Sequence, residues 1–501
     1  MNSYPTMIAV LTAVSFMPIA DAAAAQLKAG VAKVDITNRD VGPVYDTMYS
    51  KALVLSDGKT KAVIITMDVV SVGQIGHIKN DFLGNIRTQL EKEFGIPPSN
   101  VMINTSHCHG IPCDDVEQRT IQAVREAAKE LVPVDVGTGI GEEKRVSENR
   151  RIKLKNGKEA DVRHAYSMPF DEDVAEVGPI DPEIGIIRLD RKDGRTLAVV
   201  YNFAVHPIMG APNGGNTADL TGFSSLLIED TLGDGAIAFF LQGCGGDINP
   251  VMYKNPDVPQ DCEPLGNMLG LSTMRGVRKI KCQADVDFKV IRETMDLPRA
   301  DLADRIASLE AEQLALMGSL GGTSLTLKAF IPLAVKYNVS GEFPNYYSHR
   351  YLQDEMIGRT DWVTLDERNK LKMEAYVKNI HTMEQMTRNN ANLALLRMHQ
   401  KQNIDAGKRT VEVEMLGWRI GDFVMLTFPG ELTVRIGLNI KSNSPHDATF
   451  VSAYTNGYIY YCPTADQLKN VGYAQEDSDC ILAPEWQELY ETRAAEMLKK
   501  L

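Results

Sequence analysis

The sequence lacks several features that would place the protein in a specialised class. Its 501 residues include seven cysteines but no Cys-x-x-Cys pair, which argues against a cysteine-based structural zinc site. Basic residues are not in excess. The formal net charge of −13 argues against a nucleic-acid-binding protein, because such proteins carry a basic surface. Internal repeats and low-complexity segments are absent, and a hydrophobic content of 44% is ordinary for a globular protein with a large core.

Hydrophobic runs long enough to cross a bilayer are also absent, and the one notable apolar run is at the N-terminus. Residues 7–20 are apolar, and Asp21 and alanines 22–25 follow them. This order is typical of a secretory signal peptide, and the run is too short for a membrane-spanning helix. We therefore expect residues 1–25 to be a signal peptide and the protein to be secreted or periplasmic. Export would permit disulfides, although the odd number of cysteines leaves at least one thiol free.

Strand and helix patterns alternate through most of the remaining chain. Helical spacing of apolar residues predicts helices at 79–94 and 116–131. Strands are predicted from alternating or continuous apolar runs at 31–37, 52–55, 62–68, 184–190, 197–206, 236–241, 409–416 and 422–428. These patterns predict an α/β fold in which a mixed β-sheet is flanked by helices.

Two regions interrupt this alternation. Residues 140–182 are polar and rich in glycine and charge, which predicts a loop. Residues 299–405 are rich in Ala, Leu, Met, Glu and Lys with helical spacing, which predicts a helical insertion. We treat residues 26–501 as a single domain that carries this insertion.

The most informative stretch is residues 101–110, where an apolar run leads into His107, Cys108 and His109 and stops at Gly110. Residues i and i+2 of an extended chain point to the same face, so the two histidines would project together. Neutral imidazole nitrogen binds zinc at about 2.0–2.1 Å, and such a pair can begin a zinc site. The alternative is two polar histidines in a loop, and the stretch alone does not decide between them.

Two other predicted strands also end at groups that can bind a metal. His206 ends one strand just before Pro207, and Glu431 follows Pro429 and Gly430 at the end of another. Two histidines and a carboxylate are a common catalytic zinc set that leaves a coordination position open. A buried histidine paired with a carboxylate is the structural alternative.

Seven short motifs follow one another along the chain. They are residues 34–37 (Val-Asp-Ile-Thr), 104–109 (Asn-Thr-Ser-His-Cys-His), 149–150 (Asn-Arg), 203–206 (Phe-Ala-Val-His), 246–250 (Gly-Asp-Ile-Asn-Pro), 429–431 (Pro-Gly-Glu) and 456–464 (Asn-Gly-Tyr-Ile-Tyr-Tyr-Cys-Pro-Thr). Taken in this order, they resemble the zinc-dependent catalytic domain of the neutral, non-lysosomal ceramidase family. The similarity extends over nearly the whole mature chain outside the helical insertion.

The resemblance implies that one zinc ion per chain is bound by His107, His206, Glu431 and Tyr461. Tyr461 is chosen over Tyr458 because it precedes the Pro-Thr pair at the family's offset. The activity implied is cleavage of the N-acyl amide bond of ceramide, or of a related N-acyl lipid, by attack of a zinc-bound water. Ceramide would yield a fatty acid and sphingosine, and any contact with a membrane surface would be transient.

The resemblance also implies catalytic roles for four other side chains. Asp247 would be the general base that takes the proton of the water. Arg150 would hold or polarise the substrate, and Tyr473 or His109 would help to stabilise the developing oxyanion.

Three departures from the family pattern bear on the substrate. Asn249 stands where the family's Gly-Asp-x-Ser-Pro motif has serine, so we expect Asn249 to take over this substrate contact. Residues 110–113 read Gly-Ile-Pro-Cys where the family has Ser-Gly-Pro-Gly. The chain ends at Leu501, and we expect it to lack the family's C-terminal immunoglobulin-like domain. Alternatives therefore remain: another N-acyl amide or an ester as the substrate, or a non-catalytic lipid- or glycan-binding protein on a hydrolase scaffold.

Overall fold

The computed structural model describes residues 26–163, 168–253, 255–284, 286–470 and 472–501, and the predicted signal peptide at 1–25 lies outside these ranges. The strands are β1 (Lys28–Asp35), β2 (Tyr49–Ser56), β3 (Lys61–Met67), β4 (Val101–Thr105), β5 (Val132–Glu142), β6 (Ser147–Asn149), β7 (Arg151–Leu154), β8 (Glu159–Asp161), β9 (Val174–Val177), β10 (Glu183–Arg191), β11 (Thr196–Phe203), β12 (Ile237–Gln242), β13 (Ile248–Pro250), β14 (Phe288–Pro298), β15 (Thr410–Ile420), β16 (Phe423–Thr427), β17 (Glu431–Leu432), β18 (Ala448–Ser452) and β19 (Tyr461–Cys462). The α-helices are α1 (Phe82–Phe94), α2 (Val116–Lys129), α3 (Asp219–Leu232), α4 (Cys262–Val277), α5 (Ala303–Ser319), α6 (Leu327–Val339), α7 (Ser348–Met356), α8 (Asp361–Asp405), α9 (Val434–Ser442) and α10 (Trp486–Leu498).

Two mixed sheets form the centre of the molecule. The larger has the strand order β12-β11-β10-β5-β1-β2-β3-β4, and the smaller has the order β14-β15-β16-β18. The parallel pairs in these sheets are β3 with β4, β11 with β12, and β16 with β18. The mixed α/β fold predicted from the sequence is confirmed.

The sheets pack face to face, and helices cover their outer faces. Strand alternation explains this order, because successive side chains of a strand enter different cores. In β2, Leu53 and Leu55 lie in the core between the two sheets, whereas Ala52 and Val54 lie in the core against α1 and α2. On the same sheet α3 and α4 cover β10–β12, and on the small sheet α9 and α10 cover the outer face. The layers are therefore helices, sheet, sheet and helices.

The predicted helical insertion is confirmed and consists of four helices, α5 to α8. It leaves the small sheet at the end of β14 and returns at the start of β15. These two strands pair antiparallel, and Pro298 lies opposite Thr410. The insertion thus forms the connection between β14 and β15, the antiparallel pair at the edge of the small sheet.

The prediction of a loop at 140–182 was wrong, because β7, β8 and β9 form a small sheet there and β6 pairs with β13. Short hydrogen-bonded strands of three or four residues leave too little periodicity to detect. All seven cysteines are free thiols. Among the described residues, no helix has the length and hydropathy needed to span a membrane.

Candidate functional site

Strand ends of both sheets meet at one place in the fold. His107 follows β4 and His206 follows β11, both in the large sheet. Glu431 and Tyr461 lie opposite each other in the two-stranded parallel pair β17 and β19, which follows the strands of the small sheet. These are the four side chains that the resemblance assigned to the metal. They come from distant parts of the chain, since the first and the last, His107 and Tyr461, are more than 350 residues apart.

The buried side-chain amide of Asn104, at the end of β4, is hydrogen-bonded to residues at the ends of two other strands, β12 and β18. The side-chain oxygen of Asn104 accepts a hydrogen bond from the backbone N–H of Gln242 at 2.9 Å, and its Nδ2 donates to the carbonyl of Ala453 at 2.7 Å. One side chain thus connects the ends of β4, β12 and β18. Because unmade hydrogen bonds of buried amides are costly, this arrangement holds the site rigidly.

Three buried groups form a cluster able to bind a metal ion. The ligand atoms of His107, His206 and Glu431 all lie within 4.8 Å of one another. The Nε2 atom of His206 is 3.0 Å from Glu431 Oε2, and the Nε2 atom of His107 is 3.3 Å from Glu431 Oε1. His107 reaches this position with a left-handed backbone of φ 68°, so the extended geometry expected for the His-x-His stretch does not apply.

The hydrogen bonds that His107 and His206 make through Nδ1 leave the lone pair of each Nε2 atom facing Glu431. Nδ1 of His107 donates to the carbonyl of Val70 at 2.7 Å, and Nδ1 of His206 donates to the carbonyl of Gly245. A carbonyl only accepts, so Nδ1 carries the proton of each neutral ring. Burial lowers the pKa of His107 to about 4 and also lowers the pKa of His206. Both rings are therefore neutral near pH 7.

Glu431 is the anion of this cluster. Burial by itself raises the pKa of a carboxyl group, but a proton on His107 or His206 and the hydrogen bond from the Tyr458 hydroxyl both favour the ionised form. They hold the pKa of Glu431 well below its usual range. Tyr458 donates a hydrogen bond to Oε1, and Tyr454 donates to Oε2 at 3.1 Å. Hydrogen bonds of this kind orient a metal-binding carboxylate.

These three residues fit a zinc ion on two counts. Atoms about 2.1 Å from a tetrahedral zinc lie roughly 3.4 Å from one another, which is close to the 3.0 and 3.3 Å separations observed between nitrogen and oxygen. In addition, two imidazole lone pairs face an ionised carboxylate, and a cation between them removes the repulsion. The nitrogen and oxygen donors are those that zinc prefers.

Tyr461 lies beside the cluster and contacts a buried arginine. Its hydroxyl is 3.3 Å from His206 Nε2 and accepts a hydrogen bond from Arg150 Nη2 at 3.2 Å. Burial raises the pKa of the Tyr461 phenol. The hydroxyl is thus close enough to the cluster to serve as a fourth ligand.

Arg150 is fully enclosed, and the protein itself engages it. Its Nε donates to Glu476 at 2.6 Å, its Nη1 to the side-chain oxygen of Asn249 at 3.1 Å, and its Nη2 to the carbonyl of Gly246 at 2.6 Å. Arg150 therefore connects Tyr461 to the loop at 246–249. Asn249, which we expected to contact substrate, is itself buried and holds Arg150.

An open cavity of about 460 Å³ lies next to the cluster. His206 and Tyr461 form part of its wall, and His109 lies at its exposed rim. Arg163 and Asp219 also face it. The Arg163 guanidinium lies over the Tyr461 ring at 4.8 Å and donates to Glu476, while its buried Nε has no hydrogen-bond partner within the described part of the chain. The cavity thus places one residue of the cluster, His206, beside side chains of both charges.

Asp247 and Tyr473 lie at other cavities. The Asp247 carboxylate accepts hydrogen bonds from the Val434 backbone N–H at 2.7 Å and from Asn149 Nδ2 at 3.2 Å, and it borders a cavity with Asn149. Tyr473 lies under Arg388, whose guanidinium is 4.3 Å from the ring centre, in a third cavity. The structure therefore does not bring these two side chains to the wall of the cavity beside the cluster.

Sequence reasoning missed several residues of the site. Tyr454 and Tyr458 have no role in the site predicted from the sequence, yet both bind Glu431. Arg163 and Glu476 gave no signal, because each lies in an ordinary charged stretch. The crowding of tyrosines at 454–461 was the one available hint, since buried tyrosine hydroxyls need partners.

Removing the Tyr458 hydroxyl tests the hydrogen bond that orients Glu431. We expect Tyr458→Phe to weaken zinc affinity by about 10–100-fold, the usual effect of losing a partner that supports a metal ligand. Competition with a fluorescent chelator measures this. Tyr460→Phe is the matched control, because the Tyr460 hydroxyl accepts a hydrogen bond from Gln402 instead. Equal affinities in the two variants would contradict the assignment.

Comparison with known proteins gives structural matches but no sequence family. No protein-family model and no curated protein sequence matches the chain. A solved structure described as a ceramidase complexed with C2 is similar at a TM-score of 0.59 and 15% identity, covering 94% of this chain and 75% of that one. Neutral ceramidase from Pseudomonas aeruginosa is similar at 0.58 and 16%, covering 95% and 75%. At this identity the likeness establishes a shared fold.

Proposed function

We propose that the protein is a zinc-dependent hydrolase that cleaves the N-acyl amide bond of ceramide or a related lipid. The observation that carries the proposal is the buried His107, His206 and Glu431 cluster, with Tyr461 beside it, at the wall of an open cavity. The shared fold with ceramidases supports this choice of reaction. The proposal includes one zinc ion per chain and a single catalytic domain at 26–501.

His107, His206, Glu431 and Tyr461 would hold the zinc. When bound, zinc supplies Lewis acidity and lowers the pKa of a water molecule towards about 7. The protein's part is to keep the two Nε2 atoms unprotonated and the carboxylate ionised, which the Val70 and Gly245 carbonyls and the tyrosine hydroxyls achieve. Neither histidine has to lose a proton before it binds the metal.

The cavity offers groups that bind and orient an amide. The Arg163 guanidinium faces the cavity, and a hydrogen bond from it to a substrate carbonyl would orient the amide. His109 at the rim is placed to contact the part of the substrate that extends to solvent. Arg150 has no such freedom, because its donors already bind protein acceptors, and its part is to position Tyr461.

Asp219 is the carboxylate that we propose for proton transfer. It faces the cavity, and burial raises its pKa to about 6, close to the range in which a carboxyl group can both take and return a proton. We expect Asp219→Asn to lower kcat by about 10²–10⁴-fold. Asp247→Asn is the comparison. We expect it to lower the thermal unfolding temperature and to have the smaller effect on kcat. A larger loss of kcat in Asp247→Asn than in Asp219→Asn would return the role of general base to Asp247.

Purified protein with measured zinc content tests the function. We expect release of fatty acid and a long-chain amine from ceramide, loss of this activity with 1,10-phenanthroline, and its recovery with zinc. Full activity of metal-free protein would contradict the proposal. Hydrolysis of other N-acyl amides or esters but not ceramide would change the substrate. A zinc-loaded protein that turns over none of them would be a binding protein on a hydrolase scaffold.

We also propose that the protein is exported, because residues 1–25 contain an apolar run followed by small residues, as a signal peptide does. Mass spectrometry of the N-terminus of protein recovered from the periplasm or medium tests it, and a mature chain that begins near Gln26 is expected.

A further inference from the structure

Helix α6 exposes a continuous apolar stripe to solvent. Leu327, Ile331, Val335 and Val339 are spaced four residues apart, so they lie along one side of the helix. Their exposed fractions are 59%, 53%, 58% and 82%. Single exposed apolar residues are normal on soluble proteins, but a contiguous row of them marks an interaction surface.

The adjoining side of α6 is apolar as well. Phe330, Ala334 and Tyr337 line a groove whose other wall is α8, with Met373 and Val377. The groove has a volume of about 850 Å³, larger than the cavity beside the metal cluster. Helix α6 therefore separates an apolar groove from solvent and presents apolar side chains to both.

The groove leads towards the metal cluster. It shares His381, Gln385 and Arg388 with the neighbouring cavity that contains Tyr473. Gln475, two residues further along the chain, lines the cavity beside the cluster. Two residues span at most about 7 Å, so the cavity that contains Tyr473 and the cavity beside the cluster lie close together along this segment.

The charge of α6 differs in sign from that of the whole chain. The helix carries Lys328 and Lys336 and has no Asp or Glu between Leu327 and Val339, whereas the chain has a formal net charge of −13. Lysines beside an exposed apolar stripe are typical of helices that lie in the surface of an anionic membrane.

We propose that α6 docks on a lipid bilayer that contains anionic head groups, with Leu327, Ile331, Val335 and Val339 inserted among the acyl chains. The groove beneath α6 then receives the acyl chain of a lipid that leaves the bilayer for the metal cluster. This inference rests on the proposed function, since it assumes a lipid substrate. It assigns membrane contact to one helix of the insertion.

Vesicle sedimentation tests the docking without any turnover. The parent protein is expected to sediment with phosphatidylcholine vesicles, and more strongly when they contain phosphatidylglycerol. The double variant Ile331→Glu, Val335→Glu should bind at least about tenfold more weakly, because two apolar side chains no longer enter the lipid. Lys328→Ala should reduce the preference for phosphatidylglycerol by about fivefold. The matched control is Leu489→Glu on α10, a similarly exposed leucine that should bind like the parent.

Three outcomes would overturn the docking proposal. The parent fails to bind either vesicle, Leu489→Glu weakens binding as much as the α6 variant does, or sedimentation velocity shows a dimer that the α6 variant dissociates. The last result would assign the stripe to contact between two copies. Turnover of a soluble short-chain N-acyl substrate is measured separately. The α6 variant should retain it, and its absence in the parent would be a failure of the proposed function instead.

Discussion

Replacing Glu431 by glutamine is expected to abolish stable zinc binding and to lower hydrolytic activity by more than about 100-fold. Loss of a partner outside the metal's own ligands already costs 10–100-fold, and loss of a ligand should cost more. Glutamine keeps the size of the side chain but removes its negative charge. The Nε2 atoms of His206 and His107, which lie 3.0 and 3.3 Å from the Glu431 carboxylate, would then have no anion with which to share a bound cation.

Two measurements test whether Glu431→Gln loses its zinc and its activity. Elemental analysis after gel filtration gives the zinc content, and initial rates with excess zinc show whether the metal can be forced back. Glu488→Gln on α10 is the matched control, because this glutamate is exposed and does not belong to the cluster. A Glu431→Gln protein with about one zinc per chain and unchanged activity would show that Glu431 is not a ligand.

Replacing Arg150 by methionine should have the largest effect on stability. Arg150 is buried, and its four hydrogen bonds join Glu476, Asn249, Gly246 and Tyr461. Breaking a buried ion pair by removing one partner costs about 3–5 kcal/mol, since the other charge is left uncompensated. We therefore expect a loss of this size in the free energy of unfolding, measured by urea denaturation.

A double-mutant cycle separates the ion pair from other effects. Arg150→Met combined with Glu476→Gln removes both charges, so the loss should be smaller than the sum of the two single losses. Arg195→Met is the surface control: Arg195 pairs with Asp193 in solvent and should leave unfolding close to that of the parent. A fully additive double variant would contradict a direct coupling of Arg150 with Glu476.

Much of the framework could be predicted from periodicity. Long strands such as β10 and β11 and the helices of the insertion repeat their pattern often enough to be recognised. The residues at strand ends, His206 and Glu431 among them, could be predicted because each follows an apolar run and precedes an abrupt stop. These features are local, and local signals are what a single sequence carries.

The tyrosine stretch shows why roles within the site could not be read in the same way. Tyr454, Asn456 and Tyr460 have left-handed backbones, with φ of 54°, 57° and 66°. Such residues break the alternation that assigns side chains to faces. As a result Tyr454 and Tyr458 both bind Glu431, whereas Tyr461 approaches His206.

Other contacts depend on long-range packing that no local pattern encodes. Arg150 and Glu476 are 326 positions apart, and only the completed fold brings them together. The same holds for Asp247, whose motif suggested catalysis. In the structure this carboxylate binds the first backbone N–H of α9, an interaction that also stabilises a helix start.

The pairing of Pro298 with Thr410 has a consequence for how this protein can change. The two ends of the insertion are neighbours in a hairpin, so a segment of a different length or composition can join them without altering either sheet. The constraint lies at the base, where His399 binds Asp479 at 2.7 Å and Arg305 binds the carbonyl of Asp477. If the proposed function holds, exchanging segments that keep this base would change which substrates reach the His107, His206 and Glu431 cluster.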